Sequence, residues 1–119
     1  MALTNNLTTY PVVIAAGQSL SAPLPIGAYR LVGIFMPAVW TAAGLTFQSS
    51  PDGGTTWGEV QDGTGNALAL TVTPGIFVPI DPAKWSAINH WKFRSGTLAA
   101  PVAQTATATL LAIVNSEQW

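Results

Sequence analysis

Apolar and polar positions alternate along most of this chain with a period of two, the repeat of strands that are buried on one face. The clearest case is Asn89–Ser95, where Trp91 and Phe93 fall on one side and His90, Lys92 and Arg94 on the other. Leu45–Gln48 alternates in the same way. Tyr29–Met36 is a nearly continuous apolar run, interrupted by Gly33, and reads as a buried strand. Ala106–Val114 predicts the last long strand; Thr105, Thr107 and Thr109 share a face that Leu111 and Ile113 continue. Shorter strands are predicted at Pro11–Ala15, Thr56–Val60, Leu68–Thr73 and Ile76–Ile80.

No stretch carries a helical apolar stripe of ten or more residues. One turn of helix is expected over Val39–Ala43 and one or two over Asp81–Trp85, where Asp81 serves as a cap and Pro82 occupies the first helical position. Most of the nine prolines and eleven glycines fall between the apolar runs. Turn signals therefore recur about every ten residues, the spacing of an antiparallel sandwich or barrel. Eight short strands fit an all-β antiparallel β-sandwich of jelly-roll type, with a seven-stranded immunoglobulin-like sandwich as the alternative. One domain is expected, without repeats or linkers. Residues 1–25 form an N-terminal extended arm and first strand, 26–114 the sandwich and 115–119 a C-terminal tail.

Composition changes the picture in one respect. The chain has 119 residues, of which 49% are hydrophobic but only 8% charged, against about 25% charged in an ordinary soluble domain. Nine ionic side chains leave most of the surface to Thr, Ser, Ala, Gly and exposed apolar groups. Such a surface keeps monomers apart poorly and suits burial against copies or partners. Four cations and a net charge of −1 leave no basic patch, so nucleic acid is not an expected partner. No apolar run approaches the ~18–20 residues of a membrane span, so a membrane is not expected either. The chain has no cysteine, which excludes disulfides and thiolate metal sites. Its N-terminus, Met1–Asn6, shows no secretory signal, so production in the cytoplasm is expected.

Candidate chemistry is sparse. His90 is the one histidine and sits among cations, a poor setting for a nucleophile's base. Asp52, Asp62 and Asp81 are explained by turns and a cap. A carboxylate pair for glycoside hydrolysis could arise only if Asp52 and Glu59, or Glu59 and Asp62, approached across a hairpin. Asp52 and Asp62 with loop carbonyls could offer oxygen donors to calcium, but Asp-Gly turns account for both. No enzyme activity, metal or cofactor is expected.

The segment Ser50-Pro51-Asp52-Gly53-Gly54-Thr55-Thr56-Trp57 fits S-x-D-x-G-x-T-W and resembles the Asp-box of sialidases and related β-propellers. That resemblance implies a hairpin turn in which Ser50 and Asp52 bond the loop backbone, Gly54 allows the bend and Trp57 packs beneath. It occurs once, and 119 residues cannot build a propeller of ~40–45-residue blades, so only the turn geometry transfers. Among the five tryptophans, Trp91 and Trp57 are expected in the core. Trp40, Trp85 and the terminal Trp119 lie in loops or a polar tail and are expected to anchor a partner, or, for Trp40, Trp57 and Trp85, to stack on sugars.

The run from Gly33 through Met36-Pro37, Trp40-Thr41-Ala42-Ala43 and Leu45-Thr46-Phe47-Gln48 resembles a recurrent family of small virion structural proteins of tailed bacteriophages. The Ser50–Gly54 hairpin, Asp81-Pro82, the strand Trp91–Thr97 and the run Pro101–Leu110 continue the likeness over about residues 26–114. The resemblance implies a virion component and carries no catalytic motif. Within the virion the expectation is a capsid decoration, or cement, protein on the outer surface of the shell. Its partners would be the major capsid protein and copies of itself, as a homotrimer. The arm from Leu3 to Pro25, with Leu3, Leu7 and Tyr10, joins Trp40, Trp85 and Trp119 as expected contacts. The alternatives are a tail, neck or head-fibre component, or a carbohydrate-binding module for host attachment.

Overall fold

The computed structural model describes residues 7–25, 30–80 and 90–115. Among them there is no helix, and eight strands form two antiparallel sheets. In chain order the strands are β1 (Leu7–Ile14), β2 (Leu24–Pro25), β3 (Arg30–Phe35), β4 (Leu45–Ser49), β5 (Gly58–Glu59), β6 (Phe77–Pro79), β7 (His90–Ser95) and β8 (Ala108–Asn115). The first sheet has the order β1-β8-β3-β6 and the second β2-β7-β4-β5. The pairing is nested: β1 with β8, β2 with β7, β3 with β6 and β4 with β5, all antiparallel.

Register puts one alternate set of residues from each sheet into a shared core. The first sheet contributes Val12, Ile14, Leu31, Ile34, Ala108, Leu110, Ala112 and Val114, and the second Leu24, Leu45, Phe47, Trp91 and Phe93. Phe47 stacks edge-on against both Trp91 and Phe93, with ring centroids 5.4 and 5.2 Å apart. Such edge-to-face pairs contribute beyond the apolar area they bury. Gln104 is buried and ties three segments together. Its side chain accepts from the Thr41 amide at 2.8 Å and donates to the Thr41 carbonyl at 3.2 Å, while its backbone bonds Gln18 and Gly17. Gly96 turns the chain after β7 at a φ of 86°, where a methyl group would stand 2.6 Å from the Ala100 carbonyl oxygen.

Several expectations are corrected. Strand β1 starts at Leu7 and pairs with β8 along its whole length, because the alternation of Leu7–Ile14 continues through Pro11. The N-terminal segment therefore gives β1 to one layer and β2 to the other, and backbone bonds linking Gly17, Gln18, Ser19 and Ser21 to Gln104, Ser95 and Phe93 tie down the stretch between them. Leu68–Thr73 forms no strand: Leu70 exchanges backbone hydrogen bonds with Leu45 at one bridge, alongside a β4 that β7 and β5 already flank. Thr56–Val60 shrinks to two strand residues, since the Asp52 turn holds Thr55 and Thr56 in the loop. Val39–Ala43 is not helical, because Trp40 enters the core and Thr41 is clamped by Gln104. The turn expected over Asp81–Trp85 and the tail 116–119 lie outside the described residues.

Candidate interaction surfaces

The residues expected to contact a partner separate when placed on the fold. Leu7 is 52% exposed at the start of β1. Tyr10 aligns with Ala112, Ile34 and Val78 on the inward face and packs against the core. That parity leaves the ring only partly exposed. For Trp40 the expectation is corrected: it is 8% exposed, and its indole nitrogen donates to the Ala43 carbonyl at 3.1 Å. A tryptophan whose one polar atom has found a backbone acceptor is free to be buried. Leu3, Trp85 and Trp119 lie outside the described residues.

The Ser50–Trp57 hairpin is built by side chains bonding the backbone. Ser50 Oγ donates to Asp52 Oδ1 at 2.8 Å and accepts from the Gly54 amide at 2.8 Å. Asp52 Oδ1 also accepts from the Thr55 and Thr56 amides at 3.1 and 2.7 Å. The Thr56 bonds, foremost its amide, lower the Asp52 pKa to about 2, with Ser50 and Thr55 adding to the effect. Trp57 is half-buried rather than in the core. Its indole nitrogen donates to the Gly54 carbonyl at 3.0 Å, and Lys92 Nζ stands 4.4 Å from its ring centroid. The ring borders an open groove of about 350 Å³ with Ser49, Ser50, Pro51, Thr56, Gly58 and Glu59.

Neither expected carboxylate pairing leaves a group free for acid–base work. Asp52 is occupied by its own turn. Asp62 Oδ1 accepts from the Thr64 amide and hydroxyl, foremost the hydroxyl, which lowers its pKa. Glu59 is gripped by Arg94, whose Nη1 and Nη2 donate at 2.5 and 2.7 Å, and by Gln48 Nε2 at 2.7 Å. The Arg94 bonds hold the Glu59 carboxyl below its ordinary range. No group of three or more His, Asp or Glu residues able to hold a metal occurs among the described residues.

The surface that sequence reasoning missed is the outward face of the first sheet. Register places Pro11, Leu111, Phe35 and Phe77 in one row across all four strands. The next row is Thr9, Ile113, Gly33 and Pro79, and Val13 lies beside Thr109 on the other flank. Phe77 is 55% exposed, Phe35 42% and Val13 41%. Phe35 and Phe77 pack on each other with ring centroids 6.4 Å apart. Phe77 lies over Gly33, where a methyl group would stand 2.7 Å from Phe77 Cζ. None of these rows holds a charged residue; Arg30 enters only in the end row with Leu7 and Asn115. The signal was present in β8, whose Leu110-Leu111-Ala112-Ile113-Val114 is apolar on both alternate sets. That is the pattern of a sheet covered on both faces.

Each edge strand among the described residues is short or carries a proline. Edge strands β1, β2 and β6 contain Pro11, Pro25 and Pro79, and edge strand β5 is two residues long. Proline offers no backbone donor, and short or proline-bearing edges resist strand addition.

Compared with protein-family models, with curated proteins and with solved structures, the chain matches none. Its function therefore rests on these surfaces.

Proposed function

We propose that this chain is a non-enzymatic structural protein of a tailed-bacteriophage virion, a capsid decoration protein that stabilises the head shell through protein–protein contacts. The observation that carries the reading is the apolar face of the first sheet, four strands wide and uncharged in its central rows, on a domain whose described edge strands are short or carry proline. Such a domain can associate through a face, and among the described residues Asp52, Glu59 and Asp62 are each engaged in hydrogen bonds of their own. The nested pairing of first with last strand, second with seventh, third with sixth and fourth with fifth supports a jelly roll rather than an immunoglobulin-like order. Jelly rolls recur in viral shells. Fold alone does not assign function, so the face and the resemblance of residues 26–114 to phage virion proteins bear the weight.

In this reading the partners are the major capsid protein and further copies of the chain, on the capsid surface. Many weak contacts repeated over a shell add up by avidity. Neither nucleic acid nor a membrane takes part. Cryo-electron microscopy of the particle that carries the protein tests the reading. Density repeated over the icosahedral shell is the expected result. Density confined to one vertex or to the tail would replace decoration with a neck, fibre or tail role.

A further inference from the structure

We propose that the groove beside Trp57 binds an uncharged saccharide, with a hexose ring seated on the part of the indole that borders the groove. The site lies at the β5 edge of the second sheet. It uses none of the apolar face of the first sheet, so it goes beyond the decoration reading and does not depend on it.

The aromatic part of the site is in place before any ligand arrives. The Trp57 indole nitrogen donates to the Gly54 carbonyl at 3.0 Å, which orients the ring. Gly54 belongs to a turn that Ser50 and Asp52 brace through the Gly54, Thr55 and Thr56 amides. A side chain held in this way loses little freedom on binding. Its one polar atom already has an acceptor, so covering the ring strands no donor. Lys92 Nζ stands 4.4 Å from the ring centroid, drawn to the negative π-face. The C–H face of a hexose carries the same weak positive charge and is attracted to such a ring for the same reason.

Polar residues surround the ring. Ser49, Thr56 and Glu59 line the groove together with Trp57 and Pro51. The bonds that brace the turn leave the Ser49 hydroxyl out. The Glu59 carboxylate accepts two bonds from Arg94 and one from Gln48, and with about four lone-pair sites it can accept another. An aromatic surface beside a few hydroxyl and carboxylate groups suits a ring that is apolar on its face and hydroxylated at its rim. The charge balance selects an uncharged sugar. Arg94 already offsets Glu59, and a carboxylated or sulfated sugar would meet Glu59 in the lining. The groove, about 350 Å³, falls at the lower end of the ~300–1,000 Å³ of small-ligand sites, which fits a short stretch of glycan. On a shell that presents many copies, weak binding at each site multiplies by avidity.

Heteronuclear NMR of the full chain tests the proposal, with indole and amide signals followed as neutral oligosaccharides of glucose, galactose, mannose and N-acetylglucosamine are added. The expected result is a saturable shift of the Trp57 indole and of the Gly58 and Glu59 amides with at least one of these sugars, at a dissociation constant on the order of 1 mM. Trp57→Ala should weaken binding more than about tenfold, and Trp57→Phe should keep part of it. Trp57→Ala can also loosen the hairpin. Ser49→Ala, which leaves Trp57 and its bracing bonds in place, should therefore weaken binding several-fold with the turn amides unmoved. Phe77→Lys, on the other sheet, should bind sugar like the unaltered chain. No saturable shift with any of these sugars would overturn the proposal, as would shifts confined to other residues or full binding retained in Trp57→Ala. Tighter binding of a sialylated or sulfated sugar, or of a proline-rich peptide, at the same residues would overturn it too. Each of those failures leaves the decoration reading untouched. A chain that binds sugar through Trp57 but is missing from every particle upholds the site and sinks that reading.

Discussion

The two sheets turn very different outer faces to their surroundings. The outward positions of the second sheet hold Thr46, Gln48, Glu59, His90, Lys92 and Arg94. These polar groups are largely consumed by each other: Arg94 grips Glu59, Gln48 joins that carboxylate, and Lys92 sits over Trp57. The first sheet shows Pro11, Leu111, Phe35 and Phe77 in a row and no charge in its central rows. One face has its polar needs met inside the chain. The other has apolar side chains that stay exposed among the described residues, and a contiguous exposed apolar patch can mark an interaction site. A protein so poor in charge places half of its described ionic groups on one sheet and only Arg30, in an end row, on the other.

Arg94 is the place where that contrast breaks most visibly. Its side chain is buried and bonded to Glu59 and Thr46. Arg94→Met should cost about 2–4 kcal/mol in urea unfolding, because a half-buried Glu59 loses its counter-ion. Adding Glu59→Gln should recover much of the loss, since a neutral amide needs no cation. By contrast Phe77→Thr, on the opposite face, should change monomer stability by less than about 1 kcal/mol. If both substitutions cost the same, the two faces do not differ in the way described.

The fold was legible where alternation was strong. Trp91 and Phe93 on one parity against His90, Lys92 and Arg94 on the other located β7 and its inner face. The Ser50–Trp57 signature announced a hairpin whose bonds are all local in sequence. Depth was not legible. Alternation assigns Arg94 to the polar side but cannot say that Glu59, 35 residues away, buries it there. Trp40 looks like a loop tryptophan until the Ala43 carbonyl, a local acceptor, removes the cost of burying it. The uncharged face was hidden for another reason. Pro11, Leu111, Phe35 and Phe77 are scattered over four segments, and only non-local register aligns them.

Acid separates the faces with a smaller effect. The Glu59 carboxyl titrates below its ordinary value of 4.5 in the folded chain. Between those two pKa values the unfolded state binds more protons, so stability falls as pH drops through about 4.5 towards the folded value. It is fully present above that window. Urea midpoints should therefore decline below about pH 4.5, and Glu59→Gln should flatten the decline. Binding to the shell through the first sheet, whose central rows hold no titratable group, should keep the same strength over the pH range where the chain stays folded. It should also be indifferent to sodium chloride between about 0.05 and 0.5 M, since there is no exposed charge pair to screen. A steep salt dependence would show that Arg30, in the end row, governs the contact instead.

The finest test concerns Gly33, which touches only the shape of the apolar face. A methyl group there meets the Phe77 ring at 2.7 Å, and the ring is the free end of a side chain that can swing away. Gly33→Ala should therefore leave the fold and the unfolding midpoint nearly unchanged, within about 1 kcal/mol. What it should alter is the pose of Phe77, lifted off the sheet. The expected outcome is several-fold weaker binding to the shell with no new charge introduced. Unchanged binding in Gly33→Ala would mean that apolar area alone, and not the seating of the ring, drives the contact.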